Sequence, residues 1–521
     1  MGGLSPEDAD FLANFTSEQK KRVLWKVDLR LIPMLLSLYL ISYLDKTNIG
    51  NAKIEGLDKS LHMNGTQYNI ALSIFFIPYV LAEVPSNMLL NRFKRPSYYL
   101  AMLVLLWGAV MTCTGVVQNF SGLAAVRFLL GLFEAGFFPG AIMLVSRWYL
   151  PGETQTRIAL LYTSAATGGA FSGLLAFGLA KMDGLGGYEG WRWIFIIEGL
   201  MTVAIGAACF FLLPDSPSLS TGWLTPEEAR YLELRQIARR VLAPQDYREK
   251  SFDWKALWGI VKDWKMYLLI LANWSQAVPN YAMKFTMPSI VKSMGFTSAK
   301  AQLLTIPPYA CGAISAYVMS VLADRFSWRM PSVVVPQICV VVGFSILFSK
   351  AAEIQTNIAV CYFAVCLACA GMYPIFPGVN AWNVVNTAGP VKRAISIAYL
   401  VCAGNLGGLV GSYIYIDKEA PKYPTGYGNS LAFGAAGIVA ALILEYGLWR
   451  INKRDAQYTE EEIRAKYSPE ELERMGDESP LYKYCLMVYY VVAMCGYVEP
   501  QHSSTKIILI THEVNALCVP R

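Results

Sequence analysis

About twelve stretches of this chain are apolar enough and long enough to cross a bilayer, and that feature restricts the fold more than any other. They fall near residues 29–49, 67–90, 97–117, 122–148, 157–181, 191–213, 264–290, 299–323, 331–349, 357–386, 393–416 and 429–450. Lipid offers no partner to a bare N–H or C=O, so a spanning segment must satisfy its own backbone, and runs of this length do so as α-helices. A polar stretch, 214–263, separates the first six from the last six. The expected fold is all-α: a membrane protein of twelve transmembrane helices in two six-helix bundles. The expected layout is a cytoplasmic N-terminal segment (1–28), an N-terminal bundle (29–213), a cytoplasmic linker (214–263), a C-terminal bundle (264–450) and cytoplasmic tail helices (451–484). Residues 485–521 form an atypical extension, with an apolar run too short to span and no periodicity after it.

The two halves repeat. Asn91-Arg92-Phe93 after the second segment matches Asp324-Arg325-Phe326 after the eighth. Pro139 in the fourth matches Pro374 in the tenth, Arg157 matches Arg393, and Gly168 matches Gly404. A near-constant offset at corresponding positions is the mark of duplication, as in two-bundle carriers. The short loops holding Arg92, Lys94 and Arg95, or Lys392 and Arg393, place the positive charge on one side, so both termini and the linker are expected in the cytoplasm. Thr225-Pro226-Glu227-Glu228, Thr459-Glu460-Glu461-Glu462 and Ser468-Pro469-Glu470-Glu471 carry helix-start signals outside the spans.

Composition excludes other classes. Only 16% of the 521 residues are charged, against about 25% in an average soluble chain. The net charge of +6 gives no reason to expect nucleic acid. The 11 cysteines lie mainly in apolar segments, Cys361, Cys366 and Cys369 among them, and read as small core residues. The 3 histidines, His62, His502 and His512, lie outside the spans, so no metal or cofactor is expected. Neither a Walker A sequence nor a nucleophile elbow occurs, and an enzyme is not expected.

The chemistry lies in the few charges inside the spans. Asp45 and Lys46 end the first segment; Arg127 and Glu134 stand seven apart in the fourth, on one helical face. A charge near the middle of a membrane helix costs about 2.5–3.5 kcal/mol on insertion scales, so such residues need a reason. Cations there can neutralise an anionic substrate, and desolvated acids can take up a proton. Two structural ion pairs are the alternative; the otherwise uncharged interior favours function. In the seventh segment Asn273, Gln276, Asn280 and Lys284 share one face, which either completes a substrate site or hydrogen-bonds between helices. Glu83 reads as pinning a loop or the neighbouring bundle, and Glu198 as structural, close to an aromatic belt.

The run Tyr43-Leu44-Asp45-Lys46-Thr47-Asn48-Ile49-Gly50-Asn51-Ala52, the helix Arg127-Phe…Gly131…Glu134-Ala-Gly136-Phe-Phe-Pro139-Gly140 and Trp148-Tyr-Leu-Pro151 resemble the anion:cation symporter family of the major facilitator superfamily. The fungal branch of allantoate, nicotinate, pantothenate and biotin permeases is the most similar, over roughly residues 20–480. The resemblance implies proton coupling at Asp45 and Glu134 and anion binding at Lys46 and Arg127. Members commonly have arginine at the position of Lys46, and small polar residues at that of Lys284; the extension beyond 484 has no counterpart. The expectation is a monomeric, multi-pass carrier of the plasma membrane. It takes up a small carboxylate-bearing metabolite or vitamin with protons by alternating access, binding it at Lys46, Arg127, Lys284 and Asn280. Export of a fungal secondary metabolite is the alternative; a nutrient sensor without net flux ranks below both.

Overall fold

The computed structural model describes residues 6–90, 92–93, 95–220, 222–242, 254–326, 329–468, 471–472, 475–484 and 486. Twelve spans lie among the described residues. In the first half they are Ser17–Ile54, Gly65–Ser73 with Phe76–Leu90, Pro96–Thr114, Phe120–Glu134 with Phe137–Trp148, Pro151–Ala180 and Gly190–Leu212. In the second half they are Trp264–Ser293, Ser298–Leu303 with Ile306–Phe326, Pro331–Lys350, Ile358–Val385, Pro390–Ile414 and Pro424–Asp455. Ten are apolar enough to cross a membrane by composition alone. The seventh is long enough, at 30 residues, but exchanges apolar for polar side chains, while many side chains of the fifth lie outside the described residues.

Local chemistry explains where the helices start and break. The first begins well before its apolar run because Thr16 and Gln19 form a capping box, which satisfies two orphan N–H groups. Proline opens the third, fifth, ninth, eleventh and twelfth, where its missing N–H costs nothing. The fourth segment, expected as one helix, is broken at Ala135–Gly136. Pro139 lacks the N–H that would bond the carbonyl of Ala135. The second and eighth break in the same way, at Ile74–Phe75 before Pro78 and at Leu304–Thr305 before Pro308. Pro279, Pro288, Pro374 and Pro377 leave their helices continuous, so proline alone does not decide a break.

Two apolar cores result. One gathers buried residues from Phe15 to Leu232, with Phe285 the sole member from the second half. The other runs from Ile260 to Leu486, with Ile54 the sole member from the first. Between them the backbones come close: a Cβ on Gly50 would lie 2.8 Å from the Phe285 carbonyl oxygen, and one on Gly173 2.4 Å from that of Gln302. Such contacts need small residues, as helix packing in lipid generally does.

The two faces of the molecule differ. At the face away from the linker the halves are bonded together: Lys53 pairs with Asp417, Lys292 and Ser298 donate to the Ile54 carbonyl at 2.9 and 3.2 Å, and Gln302 donates to Glu55 at 3.0 Å. At the linker face each half is fastened to its own polar segment. Thr225 and Glu228 cap the linker helix Pro226–Leu242, whose Arg235 donates to the Trp148 carbonyl at 2.6 Å and pairs with Glu153. Nearby, Arg157 grips Asp28 of the first span through two nitrogens at 2.7 and 2.9 Å. In the second half, Asp477 of the tail is buried between Lys265 and Lys392, at 2.6 and 2.5 Å. Asn452 holds the backbone of Tyr484 through both its amide groups. Thr459 caps the tail helix Glu460–Lys466 as its sequence predicts. Asn91, the side chains of 324–326 and nearly all of the extension lie outside the described residues.

Candidate functional site: a cation-lined cavity between the bundles

A cavity of about 720 Å³ lies between the two halves. The first span contributes Tyr39, Ser42, Tyr43 and Lys46; the seventh contributes Gln276, Asn280, Tyr281 and Lys284. It extends along the eighth span to Arg329 and Ser332, at the start of the ninth. Toward the other face it is crossed by Tyr43 and Tyr373, whose hydroxyls meet at 2.8 Å from opposite halves. Three cations line it, Lys46, Lys284 and Arg329, and no carboxylate is among the described lining residues.

The acids stand behind this wall. Glu134, 1% exposed, pairs with the ammonium of Lys46 at 3.0 Å and accepts from the Ser42 hydroxyl. Lys46 is 20% exposed, so it faces the cavity while Glu134 does not. The rings of Tyr79 and Phe75 lie 4.6 and 5.8 Å from its nitrogen, the separation of cation–π contacts. Asp45 is fully buried and accepts from the Trp107 indole N–H at 3.0 Å and from Thr202 at 3.4 Å. Arg127 is 3% exposed and lies outside the cavity lining; its Nε and one Nη are buried without a partner. The sequence-predicted residues therefore divide into two sets: Lys46, Lys284 and Asn280 on the wall, and Asp45, Arg127 and Glu134 behind it.

The polar face of the seventh span proves to be a ladder along one helix. Asn280 donates to Gln276 at 3.2 Å, Gln276 to Asn273 at 3.0 Å, and Asn273 to the Leu400 carbonyl at 3.4 Å. Asn273 thus bonds to a neighbouring helix, whereas Gln276 and Asn280 face the cavity. Lys284 sits above the rings of Tyr43 and Tyr281, at 4.4 and 4.7 Å. Glu83 accepts from Asn405 at 3.4 Å, a contact with the neighbouring bundle.

Glu198 reads as structural in the sequence. It lies 2% exposed in the core of the first bundle and accepts from the Asn48 amide. Thr202, one turn on, donates to the Glu198 carbonyl at 2.9 Å and also reaches Asp45. The tyrosine wall was missed, although Tyr39, Tyr43 and Lys46 repeat at helical spacing and mark one face of the first span.

Two bundles enclosing a central cation-lined cavity, bonded together at one face and fastened separately at the other, make this a multi-pass membrane transporter of two-domain type. Residues 35–412 match the family model of the Major Facilitator Superfamily, and the chain belongs to that superfamily. It is 38% identical over 480 residues to the MFS-type transporter cnsO of Penicillium expansum, covering 91% of this chain and 92% of the relative. To the high-affinity nicotinic acid transporter of Saccharomyces cerevisiae it is 31% identical over 486 residues, covering 92% and 87%. Among solved structures, the partially occluded inward-open xylose transporter XylE from E. coli superposes with a TM-score of 0.61 at 15% identity, covering 79% of this chain and 96% of that one. A bacterial homologue of the human lysosomal transporter Spinster, inward-facing and unoccupied, gives 0.60 at 16%, covering 85% and 96%. The two solved structures share this fold.

Proposed function

We propose that this transporter carries a small organic anion into the cell together with protons, as a monomer in the plasma membrane with both termini in the cytoplasm. The observation that carries the reading is the cavity wall, with its three cations and no carboxylate among the described lining residues. A cavity so lined attracts anions and repels cations before any contact is made. A relative named for nicotinic acid, itself a carboxylic acid, fits that polarity.

Proton coupling follows from the pair behind the wall. While Glu134 is ionised it occupies the charge of Lys46. A proton on Glu134 releases Lys46 to a substrate carboxylate, and loss of that proton lets Glu134 displace the substrate again. Proton and anion therefore bind together and leave together. Asp45, held by Trp107 and Thr202, is the second proton site. Lys284 and Asn280 meet the substrate from the other half, and Arg127 joins the anion site in the state open to the opposite face. The positive charge of the short loops favours a cytoplasmic linker face, and on that reading the cavity described here opens inward.

The test is uptake of labelled carboxylates by cells producing the protein, at pH 5 and pH 7. Accumulation that is greater at pH 5 and collapses with a protonophore is expected. Uptake of a neutral sugar instead, or carboxylate uptake indifferent to pH, would falsify the reading.

A further inference from the structure

The two lysines of the wall come from different halves. Lys46 belongs to the first span and Lys284 to the seventh, and both face one cavity. Lys46 has an internal counter-charge in Glu134. Lys284 has none: its neighbours are the rings of Tyr43 and Tyr281, and no described acid pairs with it. Aromatic faces offset only part of the cost of removing an ammonium from water. During transport the cavity closes over its cargo and water leaves, so each ammonium either meets an anionic partner or gives up its proton, and an anionic partner is what keeps it charged. Once Glu134 takes its proton, two cations stand uncompensated. A substrate with one acidic group satisfies one of them.

Resting on the organic-anion reading above, we propose that the preferred substrate carries two acidic groups on one organic body, one held by Lys46 and the other by Lys284. Such a molecule spans the seam between the bundles and draws them together, so occlusion depends on both of its charges. The body between them lies against Tyr39, Tyr43 and Tyr281 and within reach of the free N–H of Asn280, and the cavity volume of about 720 Å³ accommodates a ring. Inorganic phosphate can also carry two negative charges, but both sit on one small ion that neither uses this wall nor reaches both halves.

The experiment uses full-length protein in proteoliposomes with an acid-outside gradient, protein-free vesicles serving as the blank. Matched pairs are compared: benzoate with phthalate, and valerate with glutarate, alongside inorganic phosphate. The diacid of each pair is expected to half-saturate uptake at about tenfold lower concentration than its monoacid, the gain of one charge-assisted pairing. Lys284→Gln is expected to abolish that preference by weakening the diacids alone, and Lys284→Arg to keep it. Equal handling of both members by the wild-type protein overturns the proposal, as does preference for phosphate or an equal loss for both acids in Lys284→Gln. The wild-type ratio stands even if the glutamine variant fails to accumulate. Proton-driven monoacid uptake without diacid uptake sinks this inference and leaves the organic-anion reading intact; uptake of neither class sinks both.

Discussion

Glu134 and Lys46 are the residues on which coupling turns, and their geometry allows a directional prediction. Glu134→Gln keeps the acceptor for Ser42 but removes the charge facing Lys46. The ammonium is then permanently available to substrate. Apparent affinity should rise by about tenfold, as when a competing partner is removed from a charge-assisted pair. Acid-driven accumulation should vanish while exchange of substrate for substrate persists. Uptake curves and counterflow at several pH values measure both; a variant that still concentrates substrate against a proton gradient contradicts the assignment. Glu198 obeys a different logic, because it accepts from Asn48 in a closed core. Glu198→Ala leaves that amide unsatisfied, at a cost of about 1–3 kcal/mol, whereas Glu198→Gln keeps an acceptor. Melting temperatures in detergent should fall for the first and hold for the second.

The spans themselves show what could be read in the sequence and what could not. Helix number, the six–linker–six order and the cations of the first, fourth and seventh spans were legible, because a charge in an apolar run is conspicuous whatever surrounds it. The division of those charges between wall and interior was not, since seven-residue spacing puts Arg127 and Glu134 on one face without saying what that face meets. Helix breaks were equally hidden. Pro78, Pro139 and Pro308 interrupt their helices while Pro279 and Pro374 do not, so the residue type alone does not announce a break. The break at Ile74–Phe75 presses the Phe75 carbonyl toward Gly131, where an added Cβ would lie 2.1 Å from the oxygen. Gly131→Ala must therefore push the second and fourth spans apart, at about 1–3 kcal/mol for overpacking. A lower melting temperature and slowed transport are expected, and an alanine variant as stable as the wild type would show that the contact yields freely.

At the scale of the whole molecule, the two faces should respond differently to substitution. Lys53→Ala removes the cross-bundle pair with Asp417 and shifts the population toward opening at the face away from the linker. A Ser73→Cys probe, beside Tyr413 on that seam, should then react faster with a membrane-impermeant maleimide; an unchanged rate counts against a gating role. The tail clasp predicts the opposite, a pH-independent fastening. Burial alone would push the Asp477 carboxyl up, but Lys265 and Lys392 outweigh it and hold the group below the usual aspartate range. A lowered folded value means that the stabilisation is complete above about pH 4, the ordinary aspartate value, and is lost as pH falls through the lower one. Between pH 5 and 7.5 Asp477→Asn should cost a constant amount of about 3 kcal/mol, the penalty for breaking a buried pair. A melting-temperature difference that varied across that window would contradict the pairing. The two clasps have one more consequence. Since each half carries its own core and its own strap, neither needs a covalent link between Leu242 and Trp254 to hold its own fold. Two polypeptides severed there and made in the same cell should find each other in the membrane and transport as one.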